Sequence, residues 1–183
     1  MRLDRPLAGR DGGLRRLGAR RRGRALFSSD ALPALRSRSL AILSLEAVGV
    51  GTRALELAVA YVKERTQFGR PIGSYQAVSH PLANSYLELE LARSLAWWAA
   101  WCVANDEPDA AVAAAAAAAK AEAAEAAVAA CERAIQAHGG IGFTWEQVLH
   151  RLYKRALGIQ SWEASSAQLR AEVASHMLDG GGA

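Results

Sequence analysis

Alanine fills 18 of the 31 positions from Pro108 to His138. Alanine has the best intrinsic helix propensity, because its side chain loses no rotamer freedom on folding. The same small side chain buries little area, so such a helix gains little from its own burial. It must lie where other helices crowd it, and a central place in an antiparallel bundle fits. Lys120, Glu122 and Glu125 interrupt the run and are expected on its wetter side. They also argue against a membrane span, as does the weak hydrophobicity of alanine. Gly139-Gly140 stops the helix in the usual C-terminal manner.

The flanking segments read as its partners. A first long helix is expected from Asp30 to Gln67, capped by Asp30 or Ser29. Leu43, Ala47, Val50, Ala54, Leu57 and Tyr61 recur at steps of four and three and form one apolar stripe. Gly49 and Gly51 each weaken that helix by roughly 1 kcal/mol against alanine and are expected to permit close helix packing. A second helix is expected from Ser74, as N-cap, to Asn105, with Pro81 in its first two turns. Trp97 and Trp101 share a face and read as core or interface anchors rather than a ligand box. Asn105-Asp106-Glu107-Pro108 ends this helix and starts the alanine one. A shorter helix covers Trp145–Ala156, Gly158 breaks it, and a last helix runs from Ser161 to Met177. No segment alternates with period two for long enough to claim a strand. The expected fold is all-α, an up-and-down helical bundle of four main helices plus a short one.

A chain of 183 residues, 51% hydrophobic, suits one domain with one sizeable core. Residues 1–24 hold nine Arg and two Asp, a balance of +7, so the other 159 residues carry −3 of the formal +4. The basic excess belongs to the start of the chain, and the body offers no electrostatic reason for nucleic-acid binding. Residues 1–29 read as a disordered basic tail, 30–178 as the bundle and 179–183 as a frayed terminus. A transit peptide is opposed by Asp4 and Asp11, and a nucleic-acid arm by the lack of interleaved aromatics. Cys102 and Cys131 read as small apolar core residues in a reducing compartment. No apolar run follows the Arg cluster, so no signal peptide is read and a cytoplasmic location is expected. His80, His138, His150 and His176 have no metal spacing and read as surface or capping residues.

Between the first two helices lies Glu64-Arg65-Thr66-Gln67-Phe68-Gly69-Arg70-Pro71-Ile72-Gly73-Ser74-Tyr75-Gln76. Gly69 and Pro71 do not continue a helix comfortably, so the chain turns here, with Phe68 as a buried-type aromatic. Arg65, Gln67, Arg70 and Gln76 suit an anion or a polar ligand. A plain turn and a ligand-binding turn both fit the local physics.

Arg-x-x-Phe-Gly-x-Pro-Ile-x-x-x-Gln after a long amphipathic helix resembles the start of the C-terminal helical domain of acyl-CoA dehydrogenases. Gln136-Ala137-His138-Gly139-Gly140-Ile141-Gly142-Phe143 is similar to the family's Gln-x-x-Gly-Gly-x-Gly-Phe/Tyr turn. Trp162-Glu163-Ala164-Ser165-Ser166-Ala167-Gln168-Leu169-Arg170 resembles the segment that carries its catalytic glutamate. The three stand in family order, from about Ser39 to Met177.

The resemblance implies an FAD-dependent oxidoreductase of fatty acid metabolism that dehydrogenates an acyl-CoA thioester between its alpha and beta carbons. It makes Glu163 the base that removes the alpha proton. A carboxylate does this best in an apolar surround, which Ile159, Trp162 and Ala164 offer. Read from the residues alone, Glu163 is also a solvated carboxylate near a helix N-terminus. Relatives carry Gly-Thr after this glutamate, and here Ala164-Ser165 follows.

The resemblance further implies that Arg65 meets the flavin diphosphate, with Gln67, Phe68 and Gln76 beside it, on FAD held mainly by a neighbouring subunit. Gln136, Gly139 and Gly140 match the turn that receives the adenosine end, and Ser165 and Ser166 match a stretch that contacts polar atoms of FAD. Arg36 and Arg38 lie near a position where relatives place a CoA-contacting arginine, but the register puts Leu40 there, and neither is given that role. No metal is implied. The implied partners are an acyl-CoA, a homo-oligomer or partner subunit, and an electron acceptor. A family enzyme has an N-terminal helical and a middle β domain before this one, and this chain has room for neither, so it is expected to be inactive alone. The alternative is a non-catalytic helical oligomerisation or assembly module, or a truncated gene product.

Overall fold

The computed structural model describes residues 31–105, 107 and 109–179. The expected basic tail, the Ser29 or Asp30 cap, Pro108 and residues 180–183 lie outside them. Five helices make the fold all-α: α1 Ala31–Glu64, α2 Gln76–Ala104, α3 Asp109–His138, α4 Leu149–Ser161 and α5 Ser166–Asp179. Three are long, and the last two have 13 and 14 residues.

Cross-helix pairs fix the directions. Gly51 of α1 meets Leu89 of α2, and Val62 meets Gly73 just before α2, so these helices are antiparallel. Arg133 of α3 reaches Ser85 and Glu88 of α2. Tyr153 of α4 donates to Glu132, while Lys120 reaches Gln160, so α4 runs back along α3. Ser166 and Arg170 of α5 reach Ala121 and Glu125, which makes α5 parallel to α3.

The alanine helix takes the central place that its composition requires. Thirteen of its residues are buried, eleven of them Ala or Cys. Helices α1 to α4 share the main core through Ala47, Ala54, Leu55, Leu82, Leu89, Ala127, Cys131 and Ile159. Gly51 shows how close the approach is: a Cβ there would stand 2.6 Å from Leu89 Cδ2 and 3.0 Å from Ala127 Cα. Gly49 has open space around it, so only one of the two glycines serves packing. Both cysteines are free and buried.

Several expectations change. Lys120 does not share the wetter side of α3 with Glu122 and Glu125; it is fully buried. Gly158 lies inside α4, and Ser161 ends that helix instead of starting the next. Ser74 does not cap α2: Tyr75 takes the cap position without a side-chain bond, and Ser74 Oγ donates to the Pro71 carbonyl at 2.7 Å. The tryptophans are not core residues, since Trp97, Trp98 and Trp101 are all exposed and Trp98 stacks on Trp101 with centroids 5.1 Å apart. His138 is buried. Among the described residues no helix is long and apolar enough to cross a membrane.

Candidate functional site

The connection after α1 is a small hairpin. Thr66–Gln67 pairs antiparallel with Arg70–Pro71, leaving Phe68 and Gly69 as a two-residue loop. Both loop residues have positive φ, 52° and 81°, as hairpins of this length need to match the strand twist. Glycine adopts that conformation freely and phenylalanine does not. Phe68 is not buried, as its residue type suggests; it is 93% exposed. The Ile72–Ser74 turn presses on α1, where a Cβ on Gly73 would lie 3.1 Å from the Val62 carbonyl oxygen. Arg65, Gln67, Phe68 and Gln76 all face solvent. Arg65 has no carboxylate partner among the described residues, whereas the Arg70 guanidinium lies over the Tyr75 ring at 4.0 Å.

The second turn lies at the same end of the bundle. His138 closes α3 and stacks on Tyr61 near the end of α1, with ring centroids 4.3 Å apart. Gly139 follows with φ 64°, and neither it nor Gly140 has a neighbour within 4 Å of an added Cβ. Gln136 is exposed beside them. Gly142 is a different case: a Cβ there would meet the Ile135 carbonyl oxygen at 2.5 Å, so the 3₁₀ turn Gly139–Phe143 folds back onto α3 only with glycine.

Glu163 stands elsewhere. It is the centre of a three-residue turn between α4 and α5, closed by the Ala164 amide donating to the Trp162 carbonyl at 2.8 Å. Its φ is 65°, which with this bond describes the rarer and strained form of γ-turn. Arg36 of α1 donates to both carboxylate oxygens, at 2.6 and 3.2 Å, and also to both oxygens of Glu172, at 2.9 and 3.0 Å. The two carboxylates hold the guanidinium well above its ordinary pKa. The apolar surround expected of Ile159, Trp162 and Ala164 is not complete within this chain, since Ile159 belongs to the core and Trp162 is exposed.

Below the turn lies Lys120, whose Nζ donates to the carbonyls of Gln160, Trp162 and Ala164 at 3.1, 3.0 and 2.8 Å. Burial lowers its pKa, against the pull of Glu163. Ser165 caps α5 in a reciprocal box: its Oγ accepts from the Gln168 amide at 3.3 Å, while Gln168 Oε1 accepts from the Ser165 amide at 2.9 Å. Ser166 is buried and donates to the Ala121 carbonyl at 3.4 Å. Both serines line one open groove of about 700 Å³ with Glu125, Gly158 and Ser161.

The site residues therefore form two groups. Arg65, Gln67, Phe68, Gln76, Gln136, Gly139 and Gly140 share one end of the bundle. Glu163, Ser165 and Ser166 share the other, near the start of α1. The helix between Arg36 and Glu64 alone spans about 40 Å at 1.5 Å per residue. Sequence reasoning missed Arg36 and Lys120. A lone lysine in an alanine helix was a usable signal for the second, and nothing local marks the first. Among the described residues no group of three His, Cys, Asp or Glu side chains could hold a metal ion.

The family model described as acyl-CoA dehydrogenase, C-terminal domain, matches residues 39–178. The chain is 40% identical over 126 residues to the acyl-CoA dehydrogenase IpdE2 of Mycobacterium tuberculosis, covering 69% of this chain and 37% of that protein. The structure of a steroid ACAD variant superposes with TM-score 0.78 at 31% identity, over 85% of this chain and 42% of that one. PigA with FAD and proline superposes with TM-score 0.71 at 28% identity, over 77% and 36%. The chain spans between 34% and 37% of the length of the acyl-CoA dehydrogenase IpdE2 of Mycobacterium tuberculosis and the probable acyl-CoA dehydrogenase YngJ of Bacillus subtilis.

Proposed function

The chain belongs to the acyl-CoA dehydrogenase family, as its C-terminal domain, and from that premise we propose that it supplies two halves of an FAD-dependent acyl-CoA dehydrogenase site. One observation carries the reading. Among the described residues only two non-glycine residues have positive φ, Phe68 and Glu163. Such conformations cost of order 1–3 kcal/mol and cluster at functional sites. These two are the aromatic of one motif and the carboxylate of another.

The residues present fit the cofactor. Arg65 offers an exposed guanidinium with no carboxylate partner among the described residues, suited to a diphosphate. Phe68 presents a bare ring. Gly139 and Gly140 leave their backbone open to close approach. Gln67, Gln76 and Gln136 add donors and acceptors at that end, and Ser165 and Ser166 do so at the other. Bound FAD would supply the acceptor for the hydride that leaves the beta carbon. Glu163 takes the proton from the carbon alpha to the thioester carbonyl, after letting go of Arg36. The distance between the two ends means that one flavin touches both only if they belong to different copies. We therefore read the assembly as a homo-oligomer. The family reading adds acyl-CoA as substrate, an external electron acceptor and a place in the cytoplasm.

The test is the visible spectrum of the purified chain after incubation with FAD and desalting, beside Arg65→Ala. Flavin retained by the parent chain and lost in the variant supports the half-site. No flavin in a helical parent chain overturns it.

A second reading, an assembly module without catalysis, is favoured by one observation. Leu87, Leu91, Trp98 and Trp101 are large, exposed and spaced along α2 at helical intervals. A chain that forms oligomers through this face, tested by Trp98→Lys and light scattering, yet binds no flavin would support that reading.

A further inference from the structure

Lys120 is the one charged residue with a fully buried side chain among the described residues. An ammonium has three donors and no acceptor, so burying it requires three acceptors. It finds them in the carbonyls of Gln160, Trp162 and Ala164, at 2.8–3.1 Å, all within hydrogen-bond range. The small buried residues Ala116, Ala117, Ala123 and Ala124, one turn away on either side, leave room for its stem.

A lysine that only capped a helix would serve the last turn of α4, which ends at Ser161. There it would satisfy orphan carbonyls and favour the negative end of the helix dipole. Lys120 does this through Gln160, but its other two acceptors lie beyond the helix, on either side of Glu163. The Trp162 carbonyl takes two hydrogen bonds, from Lys120 and from the Ala164 amide that closes the turn. The backbone thus curls around a fixed internal cation, with the strained residue at the outside of the curl. A non-glycine residue persists at positive φ only where its surroundings over-determine it, and here Lys120 is the group that touches both flanks.

We propose that Lys120 is a positioning residue for Glu163, holding the Gln160–Ala164 carbonyls so that the chain turns at Glu163 and presents its carboxylate outward. This rests on the reading of Glu163 as the base only for its consequence in catalysis; the geometry itself is testable in this chain.

The experiment is NMR on the uniformly labelled full chain. The expected result is a slowly exchanging Lys120 ammonium with through-bond couplings to the carbonyl carbons of 160, 162 and 164. Glu163 should show the strong intraresidue amide–Hα cross-peak of positive φ. In Lys120→Met that cross-peak is expected to be lost while the shifts of α1 and α2 stay in place. Its persistence in a folded Lys120→Met chain would overturn the proposal, because the lysine would then be a helix cap only. If Lys120→Met does not fold, the parent chain decides: a freely exchanging ammonium without carbonyl couplings overturns the proposal, and observed couplings support it. Glu163→Gln should keep cross-peak and couplings. Loss of proton abstraction in that variant, measured with FAD and the N-terminal and middle domains supplied, reports on the base reading separately, so the two ideas fail in different measurements.

Discussion

Arg36 donates to both carboxylate oxygens of Glu163 across 127 residues of sequence, and its remaining donors hold Glu172. The pair joins the start of α1 to the turn before α5. It also engages the carboxylate proposed to take a proton from substrate, so Glu163 works only after exchanging Arg36 for another partner. The side chains are 31% and 35% exposed, which places the pair among weakly stabilising ones despite its good geometry. Arg36→Gln should therefore cost no more than about 1 kcal/mol of stability in urea unfolding. A loss above about 3 kcal/mol would mean that the network behaves as a buried ion cluster instead.

The two glycines of α1 should respond in opposite directions. Gly49 is exposed with nothing near a new Cβ, so Gly49→Ala should stabilise the chain by about 0.5–1 kcal/mol through helix propensity. At Gly51 the new atom meets Leu89 Cδ2, which can shift, and the Ala127 backbone, which cannot easily. Gly51→Val should cost about 1–3 kcal/mol by overpacking the contact of α1, α2 and α3. Equal effects at the two positions, read from urea midpoints, would show that the close approach at Gly51 is not a packing constraint.

Much of this was legible because periodicity and punctuation are local. The alanine run fixed its own central place, since no other position rewards so small a side chain. Gly69 and Pro71 marked the first turn, and Gly139-Gly140 the second. What was not legible depends on partners distant in sequence. Lys120 stands out as a lone lysine in an alanine run, but its acceptors are set only when Gln160, Trp162 and Ala164 bring their carbonyls to it. The exposure of Phe68 follows from a two-residue hairpin whose strands are too short to leave an alternating pattern. Gly158 stays helical because α4 is packed on α3 through Ala156 and Ile159, and tertiary burial outweighs a weak propensity.

Acid should weaken the bundle in a defined direction. The Arg155 guanidinium holds the Glu46 carboxyl below its ordinary value of 4.5, and Arg170 does the same for Glu125. A carboxyl depressed in the folded state contributes stability above its unfolded pKa, and that contribution is lost as pH falls through the folded one. Stability from these pairs should be level above about pH 5 and decline progressively below 4.5. Arg170 holds Glu122 as well as Glu125, at 2.7 and 2.6 Å. Arg170→Gln should flatten part of the decline when urea midpoints are compared at pH 6 and pH 3. An unchanged acid limb in that variant would assign the decline to other carboxyls.

Phe68 offers the sharpest separation of stability from function. It occupies the first loop position of a hairpin in which both loop residues need positive φ, where asparagine followed by glycine is the preferred pair. Gly69 already supplies the second member. The phenyl ring is almost wholly in solvent and meets only the edge of Tyr75, at 6.5 Å between centroids, so little packing is lost with it. Phe68→Asn should therefore leave stability unchanged or raise it by up to about 1 kcal/mol, by relieving strain at an unfavourable φ. The same variant should retain less flavin after desalting than the parent chain, because the ring is proposed to meet the cofactor. A variant that is less stable and binds flavin normally would reverse both halves of the argument and make Phe68 a structural residue of the hairpin.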